Sequence, residues 1–373
     1  MSDLAIILVH YRTPELLTEA VRALRRDLEI SGLRAEIVVV DNGSEPADRS
    51  AWDELPLRRI DPGANLGYAG GVRCGVEGTS AARIIAMNPD VLVAPGCLAS
   101  LHAELERGTA AAGPQFYWDH DQRVFLPPTE ARSVPAELRA ALARRFPAAP
   151  LLSGAARKAW RRHARRHWQA TEPFVSSSLS GALIAFRRDA WAKVGPFDEA
   201  FRLYFEETDW LLRLRAAGLA SRFVPAAHAV HLYAQSSVRE PSATAWFAEA
   251  EKIFRRRHFG AGVAQLLEAL AAAPRPPRRA AGRAPDAVPA ASAALALPGL
   301  FAAGDTAWVE MALAAGGFPA AGERLARPTP DWQMPEEIWR RLPPGELWIR
   351  AVDARGRESA PVHLVRDDTA QAR

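Results

Sequence analysis

Cysteine is almost missing from this chain. Cys74 and Cys97 are the only two in 373 residues, and neither number nor spacing suggests a disulfide framework or a metal knuckle, so a reducing compartment is expected. Lysine is scarce, and arginine carries most of the positive charge. The excess is small: 47 Lys and Arg against 43 Asp and Glu leave a net charge of +4, too little to argue for a nucleic-acid partner. No apolar run reaches about 18 residues, the length a spanning helix needs. The opening Met1-Ser2-Asp3 runs straight into an apolar strand with no basic segment or cleavage site, so no signal peptide is expected and the cytoplasm is the expected location.

What is present is a globular composition, 49% hydrophobic and 24% charged, long enough for two or three domains. The first hundred residues alternate apolar strands with helical stretches. Leu4 to Val9 reads as a strand, and Pro14 to Leu28 as a helix with Thr13 at its N-cap. Glu36 to Val40 is a second strand, a helix lies around Arg73 to Gly78, and Arg83 to Met87 is a third strand. Such alternation predicts an α/β domain, a mostly parallel sheet with helices on both faces. Ligands of these sheets bind beyond the carboxyl ends of the strands, which here carry His10-Tyr11-Arg12, Asp41-Asn42 and Asn88-Pro89-Asp90. Strand-like sequence resumes at Ser176 to Phe186, and a helix around Ala243 to Phe259 closes the domain.

Residues 132–168 read as a basic helical insertion, with Arg139, Arg144, Arg145, Arg157, Lys158, Arg161, Arg162, Arg165 and Arg166 among Leu, Phe and Trp. An arginine-rich amphipathic stretch of this kind suits peripheral contact with an anionic inner membrane, each Arg contributing about 1 kcal/mol near the surface. The alternatives are a solvated basic helix that packs on the core of the α/β domain, or one that grips an acidic ligand. The expected domains are 1–272, a Pro/Arg-rich linker over 273–288, and strands over 289–367. Trp308 to Leu313, Glu346 to Val352 and Val362 to Val365 alternate in strand fashion, and the run Trp339…Leu342-Pro343…Gly345…Trp348 resembles the latter half of a fibronectin type III domain. A small all-β sandwich, dispensable for donor chemistry, is the expectation there.

The segments VHYRTPELL, VVVDNGS, ANLGYAGG, MNPDV, LSGALIAFRRDAWAKVGPFDEAFRLYFEETDWLLRLRAAG and HAVHLYAQSS occur in the order found in family 2 glycosyltransferases, and resemble most the rhamnosyltransferase-like branch. The resemblance covers roughly residues 3 to 260. It implies a GT-A fold, a nucleoside diphosphate sugar donor (dTDP-rhamnose ahead of a UDP-hexose), Mg²⁺ or Mn²⁺, inversion at the anomeric carbon, and a cell-envelope or polyprenyl-linked glycan acceptor. Acidic sugars of that acceptor are the ligand a basic helix over 132–168 would grip if it does not pack on the transferase core.

Chemistry fits each piece. Asp41 offers a carboxylate to a pyrimidine imide N–H, or starts a turn with Gly43 and Ser44. Tyr11 and Thr13, at the end of the first strand, are candidates for contact with the base or ribose, or else simply satisfy the loop. Asn65, Gly67 and the glycines to Gly71 form a strand-to-helix turn that lets the backbone approach a diphosphate or ribose; the family usually has Asn where this chain has Arg73. Asn88-Pro89-Asp90 occupies the place of the Asp-x-Asp motif, with Asp90 a hard oxygen ligand for the metal and Asn88 a neutral group for the ribose. By resemblance His231 is a second metal ligand or a diphosphate contact. Glu206-Glu207-Thr208-Asp209 sits at a helix start, and Glu207 falls where the family has its general base, usually Asp; crowding and burial of the acids would raise one pKa. Ser180-Gly181-Ala182 opens a buried strand and leaves room for the acceptor. Asp198 braces the loop before the base. Trp210 either stacks on a sugar or belongs to the core. The competing class is a non-catalytic glycan-binding or scaffold protein with a retired transferase domain. Retention of Asp41, Asp90 and Glu207 together argues against it.

Overall fold

The computed structural model of the chain describes residues 3–50, 52, 54–146, 150–232, 242–272, 286–289, 296–298, 306–326 and 331–367. In chain order the elements are β1 (Leu4–His10), α1 (Pro14–Ser31), β2 (Ala35–Asp41), α2 (Pro46–Ser50), β3 (Arg58–Ile60), α3 (Gly67–Glu77), β4 (Arg83–Met87), β5 (Val91–Val93), α4 (Cys97–Glu106), β6 (Ala111–Tyr117), β7 (Val124–Phe125), α5 (Val134–Arg145), α6 (Pro150–Trp168), β8 (Phe174–Val175), β9 (Leu183–Arg187), α7 (Arg188–Val194), α8 (Glu206–Ala216), β10 (Ser221–His231), α9 (Ala243–Phe259) and α10 (Ala261–Ala272). There follow β11 (Asp286–Pro289), β12 (Ala296–Pro298), β13 (Thr306–Ala312), β14 (Ala321–Arg324), β15 (Asp331–Gln333), α11 (Glu336–Arg341), β16 (Gly345–Asp353) and β17 (Val362–Asp367). They fall into two compact units.

The first unit comprises residues 1–116, 128–134 and 167–266, and is the expected α/β domain. Its strands run β3-β2-β1-β4-β9-β6, with β1 parallel to both β2 and β4 and with β9 antiparallel to β4. Every residue of β1 is buried, as a central parallel strand covered on both faces requires. Helix α3 reaches β1 through glycine: a Cβ on Gly71 would stand 2.6 Å from Val9 Cγ1, and one on Gly75 would run into Ile7. Between β2 and β4 the strand order reverses about β1, and the carboxyl ends there open onto one crevice.

Two boundaries differ from the sequence reading. Helix α3 begins at Gly67, so the glycine segment read as a turn before the helix is its first turn. Of the expected strand 176–186, only Leu183 onward is β. The serines before it bond to their own loop, Ser176 Oγ donating to the Ser178 carbonyl and Ser180 Oγ accepting the Ala182 N–H. Thr13 is the residue before α1 but makes no capping hydrogen bond; its own N–H goes to His10 Nε2 at 3.1 Å.

The second unit gathers residues 117–127, 135–166 and 267–373, so most of the basic segment assigned by sequence to the first domain belongs here. A small β domain is present, with strands ordered β11-β17-β16-β13-β14-β7, plus a β12-β15 ribbon. The basic helix α6 is part of this unit's core. Arg161 is buried and grips Glu310 of β13 through Nε at 2.5 Å and Nη2 at 2.6 Å, while its Nη1 reaches Glu358 at 3.0 Å. Arg157 also pairs with Glu358, and Arg165 lies over Trp308. This corrects the membrane expectation for Arg161 and Arg165, whose charges face the protein's own glutamates and indole; Arg162 and Arg166 are exposed. It also corrects the idea of a domain severable at the linker, because β7 and α6 would lose β14, Glu310 and Glu358. Most of the linker, residues 273–285, lies outside the described residues. None of the described helices is long and apolar enough to cross a membrane.

Candidate active site

Beyond β1 and β2 the polar groups are tied into a rigid loop. His10 Nε2 accepts the Thr13 N–H, so its proton sits on Nδ1 and is donated to Ser44 Oγ at 2.8 Å. Burial holds this imidazole neutral, its pKa below the ordinary histidine value despite the nearby Asp41. Asp41 is fully buried. One of its oxygens accepts the Ser44 N–H at 2.9 Å and the other the Arg49 Nε–H at 2.7 Å, and Arg49 continues to Asp61 at 2.9 Å. Burial alone would raise the Asp41 pKa, but the Ser44 hydrogen bonds and the Arg49 charge outweigh it and the carboxyl ends below its ordinary value. The turn-forming role of Asp41 is therefore realised directly. Tyr11 is half-buried at the rim, with Arg12 over its ring.

Asn42, at the carboxyl end of β2, clamps the glycine segment. Its Nδ2 donates to Asn65 Oδ1 and to the Gly67 carbonyl, both at 3.0 Å, and its Oδ1 accepts the Leu66 N–H at 2.8 Å. Asn65 Oδ1 also accepts the Gly67 N–H. Gly67 has φ +71° and lies against the Arg202 carbonyl, 2.6 Å from where a Cβ would stand, so no other residue fits.

On the far side of β1, β4 ends at Asn88, whose N–H donates to the Ala182 carbonyl at 2.8 Å. Asp90 is buried between β4 and β5. β10 pairs antiparallel with β5, placing His231 opposite Val91. Asp90 Oδ1 and His231 Nε2 come within 3.5 Å, so the two expected metal ligands, 141 positions apart in sequence, converge. One carboxylate oxygen and one imidazole nitrogen at this separation fit adjacent ligands of a six-coordinate Mg²⁺ or Mn²⁺, with diphosphate oxygens and water left to complete the shell. The group of three among the described residues, Asp3, His102 and Glu106, lies instead at the amino end of β1 and is bridged by Arg83.

The acids at the start of α8 divide their roles. Asp209 is fully buried and structural: it holds Arg213 at 2.8 Å, His258 at 2.9 Å and Arg257 at 3.2 Å. Glu206 is 4% exposed and Glu207 half-buried. Burial raises both pKa values above the ordinary carboxylate range; repulsion by Glu207 adds to the rise of Glu206, whereas hydrogen bonds from Thr208 and the charge of Arg132 restrain that of Glu207. Thr208 Oγ1 donates to Glu207 Oε1 at 3.2 Å. Gly181 is 3.1 Å, from its would-be Cβ, to Glu207 Cγ. The room expected there for an acceptor is taken up by the base candidate itself. Trp210 is buried among Phe186, Trp191 and Phe197, which places it in the core rather than on a sugar.

Tyr68 joins the two sides. Its hydroxyl donates to the Gly181 carbonyl at 2.7 Å, and its pKa is driven up by burial and then by Glu206, Glu207 and Asp90. The sequence offered no polar signal for it, since an aromatic after a glycine reads as packing. The arrangement supplies a basic carboxylate with a raised pKa opposite a carboxylate–imidazole pair, which are the parts a hydroxyl-activating, diphosphate-holding catalyst requires.

The chain is similar to several known proteins. Residues 5–194 match the family model described as Glycosyl transferase family 2. An N-acetylglucosaminyl-diphospho-decaprenol L-rhamnosyltransferase of Mycobacterium tuberculosis is 31% identical over 55% of this chain and 69% of its own length. A low-salt glycan biosynthesis hexosyltransferase Agl10 of Haloferax volcanii is 33% identical over 24% of this chain, which spans 29% of that relative. A crystal structure of GalNAc-T7 with UDP, GalNAc and Mn²⁺ aligns with a TM-score of 0.44 at 16% identity, over 62% of this chain and 44% of that one.

Proposed function

Because this chain belongs to glycosyl transferase family 2, we propose that it moves a sugar, with inversion, from a nucleoside diphosphate donor to a hydroxyl of a polyprenyl-diphosphate-linked glycan. The observation that carries this reading is the convergence of Asp90 and His231 at 3.5 Å, in a unit where Glu207 packs on Gly181, whose carbonyl accepts the Tyr68 hydroxyl. The nucleotide lies over the carboxyl ends of β1, β2 and β4. Tyr11 flanks the base, Asp41 acts through the Ser44 turn and Arg49 that it holds, and Asn65 and Gly67 present the first turn of α3. Asn88 faces the ribose. Asp90 and His231 would hold Mg²⁺ or Mn²⁺, which when bound neutralises charge on the departing diphosphate.

Glu207 takes the proton from the acceptor hydroxyl as the oxygen attacks the anomeric carbon from the face opposite the nucleotide. The new C–O bond forms as the bond to the diphosphate oxygen breaks, and the nucleoside diphosphate leaves with that electron pair. A base with a pKa above the usual glutamate value suits this task, since it binds the proton more strongly. Rhamnose from its thymidine diphosphate donor is the favoured substrate, supported by the mycobacterial relative's name; a uridine diphosphate hexose is second, supported by the haloarchaeal one.

A calorimetric screen of nucleotide sugars with and without Mg²⁺ or Mn²⁺ tests the donor and the metal together. Affinity that is equal with and without metal, or unchanged in Asp90→Ala, counts against the metal role. Glu207→Gln should lower turnover by about 10²-fold or more while leaving donor affinity intact. Full activity of Glu207→Gln alongside an inactive, folded Asp209→Asn would overturn the base assignment.

A further inference from the structure

The turn that leads into α8 carries an arginine whose charge no acid among the described residues answers. Arg202 abuts the first turn of α3, its carbonyl accepting the Tyr68 N–H at 3.2 Å, and four residues later the chain reaches Glu206. Its side chain is exposed, with the guanidinium carbon 4.5 Å from the centroid of the Trp246 ring on α9. Several other arginines of this unit are paired with acids. Arg73 is bound by Glu199 and Glu77, Arg132 stands 3.5 Å from Glu251, and Arg213 and Arg257 share Asp209. Among the described residues Arg202 makes no ion pair and no side-chain hydrogen bond; the indole is what holds it.

A guanidinium stacked on an aromatic face keeps its plane fixed while its N–H groups point outward along the edge. That edge matches two oxygens of a phosphate, which a planar fork binds far better than a flexible ammonium does. The place matters as much as the geometry. Gly67, in the glycine segment proposed for the donor side, lies directly against Arg202, while Glu207 lies at the other end of the same turn. A solvated surface arginine would need neither the indole beneath it nor this position.

We propose that Arg202, held flat against Trp246, binds a diphosphate at the junction of the donor and acceptor sides of the reaction site. The inference rests on the nucleotide-sugar reading and gives a ligand to a residue that reading leaves unused. The diphosphate has two sources, the nucleotide donor and the lipid carrier of the acceptor, and different measurements report on each.

Titration with uridine and thymidine diphosphates reads the donor source, and the KM of a short-chain prenyl-diphosphate N-acetylglucosamine reads the acceptor source. Arg202→Gln should weaken one of these by about tenfold, the value of a charge-assisted pair, and leave the other alone. Arg202→Lys should recover only part of the loss, and Trp246→Leu should shift the same parameter in the same direction. Melting temperature should stay at the wild-type value in the Arg202 variants, because the side chain is exposed. If wild type binds and transfers but Arg202→Gln keeps both parameters within twofold, the inference is wrong and the nucleotide-sugar reading stands. A wild type that binds neither diphosphate and transfers nothing removes both.

Discussion

Gly181→Ala probes the base without altering a carboxylate. A Cβ on Gly181 would stand 3.1 Å from Glu207 Cγ and 3.2 Å from its carboxyl carbon, inside the 3.4 Å at which ordinary contact begins. Something must yield by a few tenths of an ångström. The glycine cannot easily do so, because its carbonyl receives the Tyr68 hydroxyl at 2.7 Å and the Ala182 carbonyl beside it receives the Asn88 N–H at 2.8 Å. Its φ is not left-handed, so alanine adds no backbone strain of its own. Glu207, on a flexible side chain, is the partner that moves. Overpacking a tight site by a methyl costs about 1–3 kcal/mol when nothing relaxes, and the freedom of Glu207 places this case near the lower figure. Catalysis suffers more. A misplacement of about 1 Å can cost 10²-fold, so a few tenths should cost roughly tenfold in kcat. Steady-state transfer assays read kcat, and calorimetry of the nucleoside diphosphate should show unchanged affinity. In a Glu207→Gln background the added alanine should do almost nothing, because residues that act as a unit are not additive. A kcat for Gly181→Ala within twofold of wild type, or an undiminished penalty in the Glu207→Gln background, would refute the reasoning.

Burial raises the pKa of Glu206 and Glu207 in the fold above the ordinary value of 4.5, so between that value and the raised ones the folded chain holds protons the unfolded chain has lost, and stability falls as pH rises through that window. Melting curves against pH should show that decline, Glu206→Gln should flatten it, and the acid limb of kcat should lie above pH 4.5; identical slopes in the two proteins would contradict the assignment. Asp209→Asn should cost about 3 kcal/mol, the scale of breaking a buried ion pair, with the partial exposure of its three partners keeping it at the lower end; an unchanged melting temperature would remove its role as a hub. Arg161→Ala should cost about 3–5 kcal/mol by leaving Glu310 buried without its cation, seen as a lowered unfolding midpoint of the second unit. Membrane contact by α6, if it occurs, depends on its exposed charges, so Arg162→Glu with Arg166→Glu should release the protein from anionic vesicles at low salt. A wild type that never sediments with them ends that proposal.

The frame of the first unit was legible because its central strands are buried on both faces and must be continuously apolar: Leu4 to Val9 and Glu36 to Val40 fell within a residue or two of β1 and β2. The acids at the start of α8 and the meeting of Asp90 with His231 were legible only through the ordered motifs, since no local pattern places residue 231 beside residue 90. What misled was composition without context. Glycine near Asn65 reads as a turn, yet Gly71 and Gly75 serve α3, where their missing side chains let the helix settle on Val9 and Ile7. Arginines spaced along 132–168 left lipid, the transferase core and acidic sugars open as partners, and the sequence cannot announce that Glu310 and Glu358 lie far downstream to receive Arg161. Burial was expected to raise one pKa among the acids of this cluster; that it raises those of both Glu206 and Glu207 was not legible.

The start of α8 breaks several local rules at once. Tyr204 and Phe205 both have φ +70°, a region that costs a bulky residue of order 1–3 kcal/mol. The helix has no side-chain N-cap, and two carboxyls beside each other are taken out of water. The α-helix dipole favours acids there by about 0.3–1 kcal/mol each, too little to offset burial and strain together. The remainder comes from α9. Phe254 packs against Phe205 at 5.3 Å, Phe247 meets both left-handed aromatics at 5.4 Å, and Arg257 and His258 close on Asp209 one turn into α8. Every one of these contacts bears on the two turns around Glu207. Helix α9 is therefore a brace for Glu207, the proposed base, and the strain it contains marks where the protein gives up stability to hold that carboxylate in place.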